Sequence, residues 1–244
     1  MELRNVGVLV TGASRGLGAA LAKELARRGA HVVAVARGEE ALAKVVEEIR
    51  VSGGIAHAIA ADIGDKRAIH AITGAAAALV GSVELLVNNA STLGAVPLRS
   101  LLDTDCESLE EALAVNVLGP FRLTKVLVGS MLLRKRGLVV NLTSDASIAA
   151  YENWGAYSAS KAALDHLTRI WGAELSGCGV QMVSVDPGEM RTKMHADALP
   201  DADEATLLDP ALVAERIVTL IGRAATLPNG ARVQASAYAR IEAA

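Results

Sequence analysis

A hydroxyl, a phenol and an amine suited to acid–base chemistry lie within one stretch, at Ser144, Tyr157 and Lys161. Residues 156–174 are rich in helix formers with helical apolar spacing, so Tyr157 and Lys161, four residues apart, share one helix face. A free phenol has a pKa near ~10, and a nearby ammonium favours the phenolate, which would suit a proton donor or acceptor. Because such a pair also arises by chance on surface helices, its interpretation depends on the rest of the chain.

Ser144 follows a continuous apolar run, residues 138–143, that is typical of a buried strand. We therefore expect its hydroxyl at the carboxyl end of a strand, where ligands bind in open parallel sheets. The alternative is that Ser144 only caps the loop after the strand.

A glycine-rich turn follows the first predicted strand, residues 6–10, and precedes a predicted helix at 19–28. The turn reads Thr11-Gly12-Ala13-Ser14-Arg15-Gly16-Leu17-Gly18. Glycine allows a tight turn and close approach of a ligand, and the amino terminus of a helix offers free N–H groups to a phosphate. Its place after the first strand favours a dinucleotide site over an ordinary strand-to-helix loop.

Apolar strands and helices alternate along the remaining chain. Further strands are predicted at 31–36, 55–60, 83–87, 138–143, 180–185 and 232–237, with helices at 39–50, 67–80, 108–133, 156–174 and 210–223. The long helical region is expected to break near Gly119-Pro120. This pattern predicts an α/β fold, a doubly wound parallel sheet of about seven strands with helices on both faces. We expect one domain over residues 1–244, with the aperiodic segment 188–209 as a candidate substrate lid.

Composition narrows the possible functions. The chain has 244 residues, 52% of them hydrophobic, with a mean hydropathy of +0.34, which implies a large core. A net charge of -3 does not indicate the basic surface that nucleic-acid binding requires. Cys106 and Cys178 lack metal-ligand spacing, and neither a leader nor an apolar run of ~18 residues is evident. We therefore expect a cytoplasmic protein with no metal, membrane or nucleic-acid partner.

Five motifs in order resemble those of the short-chain dehydrogenase/reductase family. They are the glycine turn, Asp62-Ile63, Asn88-Asn89-Ala90, Tyr157-Ser158-Ala159-Ser160-Lys161, and Pro187-Gly188-Glu189-Met190-Arg191-Thr192. The separation of Ser144 from Tyr157 is also similar to that of the family. The resemblance implies a Rossmann fold and hydride transfer between a nicotinamide cofactor and a carbonyl or alcohol.

The resemblance also implies a catalytic set of Asn116, Ser144, Tyr157 and Lys161. Tyr157 would transfer the proton, Ser144 would orient the substrate oxygen, Lys161 would lower the pKa of the phenol and bind the ribose, and Asn116 would hold a water. The implied cofactor-binding residues are Gly12, Ser14, Arg15, Gly16, Leu17, Gly18, Arg37, Asp62, Ile63, Asn88, Ala90, Tyr157, Lys161, Pro187, Gly188 and Thr192.

Alternatives remain for several of these residues. Asn116 could lie unused in a helix, and Thr192 could be a local capping hydroxyl. Ser91 stands where many relatives have glycine, and the segment 234–238 lacks the paired glycines common in the family. At the level of function, the alternatives are a cofactor-binding sensor without turnover and isomerase or dehydratase chemistry.

The residues after the second strand favour NADPH over NADH. Ala36 occupies the position where an acidic side chain would bind the ribose hydroxyls of NAD, and it is followed by Arg37. Arg37 and Arg15 could bracket a 2′-phosphate. Alternatively, both are solvated, or Arg37 pairs with Glu39 or Glu40.

Apolar residues around the predicted site suggest a pocket and an assembly surface. Apolar candidates for the substrate pocket are Leu93, Trp154, Met190, Met194 and Leu199. The resemblance implies a homodimer or homotetramer built through the helix of Tyr157 and the helix of Asn116, and apolar residues of the former, Ala159, Ala163, Leu167, Ile170 and Trp171, agree with this.

Overall fold

The protein, described by a computed structural model over residues 1–238, contains a seven-stranded sheet in which every neighbouring pair of strands is parallel. The strand order is β3-β2-β1-β4-β5-β6-β7. The strands are β1 Gly7–Thr11, β2 His31–Ala36, β3 Ile55–Ala60, β4 Val83–Asn88, β5 Gly137–Leu142, β6 Val180–Asp186 and β7 Ala231–Gln234. The doubly wound parallel sheet predicted from the sequence is confirmed.

Helices cover both faces of the sheet. They are α1 Gly16–Arg27, α2 Glu39–Val51, α3 Ile69–Val80, α4 Cys106–Leu113, α5 Gly119–Arg134, α6 Gly155–Glu174, α7 Lys193–Ala198 and α8 Pro210–Arg223. Apolar faces of α1, α2 and α8 pack on one side of the sheet, and those of α3 and α5 pack on the other with the end of α6. The five inner strands are nearly continuous apolar runs because they are buried from both sides, whereas the edge strands β3 and β7 are partly exposed.

Strand order reverses between β1 and β4, which are neighbours in the sheet although two strands lie between them in sequence. In open α/β sheets the crevice beyond the carboxyl ends of such strands is the usual ligand site. The glycine turn after β1 and Asn89-Ala90 after β4 meet there.

The sequence predicted a break in the long helical region near Gly119-Pro120, but the structure shows no break there. The region continues from α4 through a π-helical turn, Ala114–Leu118, into α5. Proline cannot donate the hydrogen bond that an α-helix requires, and the π turn changes the hydrogen-bond pattern immediately before Pro120. The helix therefore tolerates the proline without ending.

Two further segments differ from expectation. Segment 188–209 is not wholly irregular, because it contains α7 and a 3₁₀ turn, Glu204–Thr206, and a bridge pairs Met190 with Leu208. The last strand is shorter than predicted and passes into a 3₁₀ turn, Ala235–Tyr238.

The continuous helical segment Cys106–Arg134 is apolar enough by composition to cross a membrane, with a window of mean hydropathy 1.3. Half of that window is buried within the chain. Leu123, Leu127 and Met131 pack against the sheet, as in the core helix of a globular domain.

Candidate active site

The glycine turn has a backbone that only glycine fits well. Gly12 has φ +67° and Gly16 has φ +54°, values that side chains rarely adopt. A Cβ at Gly12 would lie 2.7 Å from the Cα of Ala90, so the turn packs closely against the chain after β4. At Gly18, a Cβ would collide with the carbonyl oxygen of Gly12.

The amino terminus of α1 provides a place for a phosphate. Arg15 is the N-cap, and its side chain does not cap the helix, so the first N–H groups of α1 remain for a ligand. A Cβ at Gly16 would lie 3.4 Å from Cγ2 of Thr192, so segment 187–192 faces the glycine turn. These residues, with Ser14 and Leu17 between the glycines, fit a dinucleotide cofactor.

Thr11 and Asn89 hold the turn in place. Thr11 Oγ1 accepts hydrogen bonds from the N–H groups of Asn89 and Ala90 at 3.0 and 3.1 Å. Asn89 Nδ2 donates to the carbonyl oxygens of Thr11 and Gly12 at 2.9 and 3.3 Å. Both residues lie within motifs visible in the sequence, but their supporting role depends on a pairing of distant strands.

Tyr157 and Lys161 lie on one face of α6, as predicted, and both are buried. The Nζ atom of Lys161 is 5.5 Å from the centre of the Tyr157 ring and donates a hydrogen bond of 2.7 Å to the carbonyl oxygen of Leu142. This bond fixes the lysine to the end of β5. Burial lowers the pKa of Lys161 to about 8, although the charge of Asp165 acts in the opposite direction.

The pKa of Tyr157 does not move in the expected direction. Its pKa is raised to about 12: burial is the main cause, the charges of Asp145 and Asp186 contribute to the rise, and hydrogen bonding to Ser144 opposes it. The expected lowering of this pKa is therefore wrong for this structure, because desolvation of the phenolate outweighs the hydrogen bond that favours it, and Lys161 is not among the groups that shift it. Tyr157 is consequently a protonated phenol at neutral pH.

Ser144 has two roles in the structure. It caps the 3₁₀ turn Asp145–Ser147 by accepting a hydrogen bond from the N–H of Ala146 at 3.2 Å. The capping role considered for Ser144 is therefore observed, and it does not exclude a role in binding the substrate oxygen. Its hydroxyl also donates to Asp145 Oδ1 at 2.8 Å, and Tyr151 donates to Asp145 Oδ2 at 2.7 Å. Burial raises the pKa of Asp145, but these hydrogen bonds outweigh burial and hold it below the usual range.

Asn116 lies in the π turn with its side chain fully buried and fully bonded. Its Nδ2 donates to the carbonyl oxygen of Thr92 at 2.8 Å and to Ser160 Oγ at 2.9 Å. Its Oδ1 accepts from the N–H of Thr92 at 2.8 Å and from Ser91 Oγ at 3.1 Å. An amide has two donors and two acceptor positions, so these four bonds occupy the side chain and join the loop after β4 to α6. A water held by Asn116 would have to bind its main-chain carbonyl, and this role stays a prediction.

Asn88 is turned into the protein rather than toward the cofactor crevice. It is 2% exposed, and its Nδ2 donates to Asn141 Oδ1 on β5 at 2.8 Å. Its side chain is enclosed between strands and the helix carrying Thr124, so a cofactor contact by Asn88 would be made by its backbone, and that contact stays a prediction.

The other predicted cofactor residues lie along the same edge of the sheet. Asp62 is partly exposed and its Oδ1 accepts from the N–H of Gly64 at 2.8 Å, whereas Ile63 is buried against α5. Pro187 and Gly188 follow β6, and Gly188 has φ +76°. Thr192 caps α7 by accepting from the N–H of His195 at 3.3 Å, so the local capping alternative describes part of its role.

Arg15 and Arg37 are both exposed at the carboxyl edge of the sheet. Over residues 1–238, neither guanidinium has a carboxylate within salt-bridge distance, so the alternative pairing of Arg37 with Glu39 or Glu40 is not observed.

An apolar cluster surrounds Tyr157. It includes three of the five predicted pocket residues, Leu93, Trp154 and Met194, together with Leu98, Ala146 and Ala198. The other two lie elsewhere: Met190 packs on the main core and Leu199 is 39% exposed.

These features define an α/β protein with a dinucleotide crevice and an acid–base group buried beside it. The family model described as short chain dehydrogenase matches residues 7–203, and the chain belongs to this family.

Curated relatives are similar over most of their length. The chain is 33% identical to a fatty acyl-CoA reductase of Acinetobacter baylyi, covering 90% of this chain and 77% of that protein. It is 34% identical to 3beta-hydroxysteroid dehydrogenase 1 of Eggerthella lenta, covering 84% and 79%. It is 32% identical to 2-(R)-hydroxypropyl-CoM dehydrogenase of Xanthobacter autotrophicus, covering 96% and 98%.

Solved structures of the family match the fold closely. A short chain dehydrogenase from Shigella flexneri complexed with NADP superposes with a TM-score of 0.89 at 26% identity, covering 96% of this chain and 98% of that one. An actinorhodin polyketide ketoreductase variant with NADPH gives a TM-score of 0.87 at 29% identity, covering 96% of each chain.

Proposed function

We propose that this chain is an NADPH-dependent oxidoreductase that reduces a carbonyl substrate, or oxidises the corresponding alcohol, with Tyr157 as proton donor or acceptor. The observation that carries the proposal is the placement of buried Tyr157 and Lys161 next to Ser144, at the sheet edge that also holds the glycine turn. Membership of a family that includes reductases and dehydrogenases supports it.

Tyr157 supplies the proton. When bound, the nicotinamide cofactor supplies or accepts the hydride. With a pKa raised to about 12 by burial, the phenol keeps its proton at neutral pH and donates it as charge develops on the substrate oxygen. The hydroxyl of Ser144 can rotate from Asp145 toward that oxygen and orient it.

Lys161 positions the second reactant and the proton supply. One N–H of its ammonium binds the carbonyl of Leu142, which leaves two donors for ribose hydroxyls. Because burial brings the pKa of Lys161 to about 8, the amine can take up and release protons close to physiological pH.

The preference for NADPH rests on charge at the adenosine end of the crevice. Ala36 ends β2 without a carboxylate, and the exposed guanidiniums of Arg15 and Arg37 are available for a 2′-phosphate. Structural relatives complexed with NADP or NADPH support the same choice.

The test measures oxidation of NADPH by the purified protein with a panel of ketones and aldehydes. Tyr157→Phe should lower kcat by about 10²–10⁴-fold, since a positioned acid contributes that much, while NADPH affinity is kept. Tyr238→Phe, which removes a phenol that packs on the main core and lies outside the cluster around Tyr157, is the matched control and should retain most of the activity. Tight NADPH binding with no turnover on any substrate would favour the sensor, and a Tyr157→Phe variant with more than about a tenth of wild-type activity would contradict the proton role.

A further inference from the structure

Arg232 on β7 connects three elements at the carboxyl edge of the sheet. Its Nη2 donates to the carbonyl oxygen of Ser144 at 2.9 Å and to Asp186 Oδ2 at 3.1 Å. Its Nε donates to Asp165 Oδ2 on α6 at 3.1 Å. The side chain of Arg232 is 14% exposed and those of Asp165 and Asp186 are 4% and 5% exposed, so the ion pairs are largely removed from solvent.

The two carboxylates extend this network to both sides of Ser144. Asp186 Oδ1 accepts from the N–H of Gly188 at 3.0 Å, which fixes the start of segment 187–192. Asp165 Oδ2 accepts from Ser147 Oγ at 2.6 Å, which fixes the turn that follows Ser144. A single guanidinium therefore holds the serine, the tyrosine helix and the loop after β6 in one arrangement.

Stability alone is a weak explanation for this cluster. Buried ion pairs can often be replaced by apolar residues without loss of stability, because desolvation offsets their attraction. Two carboxylates and a backbone carbonyl around one guanidinium instead match the planar fork of arginine, which lysine cannot reproduce. The cluster is suited to fixing geometry.

The same carboxylates act on the reacting groups. For Lys161, burial is the main influence on its pKa and lowers it, while the charge of Asp165, one helical turn away, raises it. For Tyr157, burial raises the pKa, and the charges of Asp145 and Asp186 add to that increase. Arg232 neutralises part of the negative charge of Asp165 and Asp186.

We propose that Arg232 is a positioning residue for the reaction proposed above, on which this inference rests: it fixes Ser144 against α6 and the loop after β6, and it sets the charge near Tyr157 and Lys161. It touches no reacting atom and acts through Ser144, Asp165 and Asp186.

The test compares Arg232→Gln, which removes the charge, with Arg232→Lys, which keeps the charge but loses the fork. Arg136→Gln is the matched control, since Arg136 pairs with Glu84 at 2.6 Å on the opposite, amino-terminal edge of the sheet. Arg232→Gln should lower kcat at least tenfold, because small misplacements of catalytic groups can cost up to about 10²-fold. Arg136→Gln should keep wild-type kcat.

The pH profile separates positioning from a merely structural role. Without the guanidinium, the uncompensated carboxylates favour the protonated forms of Tyr157 and Lys161, so the pH dependence of kcat should shift to higher pH in Arg232→Gln. Arg232→Lys should keep the wild-type pH profile with a lowered kcat, and it carries the test alone if Arg232→Gln does not fold. Wild-type kcat and pH profile in the folded Arg232 variants, whatever their thermal stability, would overturn the proposal.

Hydrogen exchange keeps the inference separate from the proposed function. If the wild-type protein shows no turnover, the proposed function fails, but Arg232 can still be tested by amide exchange in segments 142–148 and 186–190. Faster amide exchange in these segments in Arg232→Gln or Arg232→Lys, together with a wild-type exchange rate in Arg136→Gln, would support positioning. Unchanged exchange in these segments would refute it.

Discussion

The ammonium nitrogen of Lys161 lies 5.5 Å from the centre of the Tyr157 ring, held there by a 2.7 Å hydrogen bond to the carbonyl of Leu142. The lysine is thus fixed by strand β5 as well as by its spacing on α6. Burial lowers its pKa to about 8, so the charged form that predominates at neutral pH is desolvated at a cost. Placing this cation beside the phenol therefore lowers the free energy of unfolding of the protein.

Lys161→Met should therefore stabilise the fold at pH 7 while abolishing turnover. A folded-state pKa of about 8, lowered by burial from 10.5, corresponds to about 3 kcal/mol of penalty on the charged lysine. The unsatisfied carbonyl of Leu142 would offset about 1–3 kcal/mol of that gain. We expect a net gain of about 0–2 kcal/mol, measured by urea unfolding.

The stability gain of Lys161→Met should depend on pH. Below pH 8 the lysine is charged in both states and the folded state bears the full penalty. Above pH 10.5, the ordinary value of the group, it is neutral in both and the penalty is gone. The advantage of Lys161→Met should shrink as pH rises between these values, whereas Lys125→Met, at an exposed position of α5, should show no such trend. A constant difference across that range would contradict the assignment.

Asp145→Asn should move the pH dependence of alcohol oxidation to lower pH. Burial is the main cause of the raised pKa of Tyr157, and the charge of Asp145 adds to it, so removing that charge brings the phenolate form to lower pH. Oxidation needs the phenolate as base, and its rate should rise earlier on the pH axis. The measurement is kcat/KM against pH in the oxidative direction.

Glu152→Gln is the control for that experiment, because it removes the same charge from an exposed residue of the same loop. Its profile should match that of the wild type. Equal profiles for wild type and Asp145→Asn would mean that the carboxylate does not act on Tyr157.

The sequence predicted the strands, most helices and the meeting of Ser144, Tyr157 and Lys161, because apolar periodicity and motif spacing are local signals. It did not predict that Asn88 pairs with Asn141, 53 positions away, or that Thr92 and Ser160 use up the amide of Asn116. Such partners are known only once distant elements are packed. The predicted lowering of the pKa of Tyr157 was wrong for the same reason, because the burial that raises this pKa depends on packing. Assembly and cellular location stay predictions.

Segment 188–209 should be cleaved more slowly when the site is filled. α7 packs Met194 and Ala198 against Tyr157, and the segment closes on itself through the N–H of Arg191 and the carbonyl of Leu208 at 2.9 Å. Its outer part, 199–206, is mostly exposed. A protease specific for acidic residues should cut there in the protein alone and be inhibited by NADPH with substrate.

Cleavage within α4, which also carries acidic residues, serves as the internal reference for protease activity. Protection confined to 199–206 would agree with a lid. Equal rates with and without ligand at both places would show a rigid loop.

The choice of cofactor tests the two exposed arginines. We expect a higher kcat/KM for NADPH than for NADH, because Arg15 and Arg37 have no described carboxylate partner in residues 1–238 and Ala36 presents no opposing charge. Arg37→Asp removes one charge-assisted contact of about 1.5–3 kcal/mol and places a carboxylate near the ribose, so NADPH should weaken by roughly tenfold or more while NADH is held or improved. Arg4→Asp, the same change at an exposed position before β1 on the far edge of the sheet, should leave the ratio unchanged. A wild-type preference for NADH would contradict the proposed choice of cofactor, and an unaltered ratio in Arg37→Asp would assign the guanidinium of Arg37 to the solvated surface.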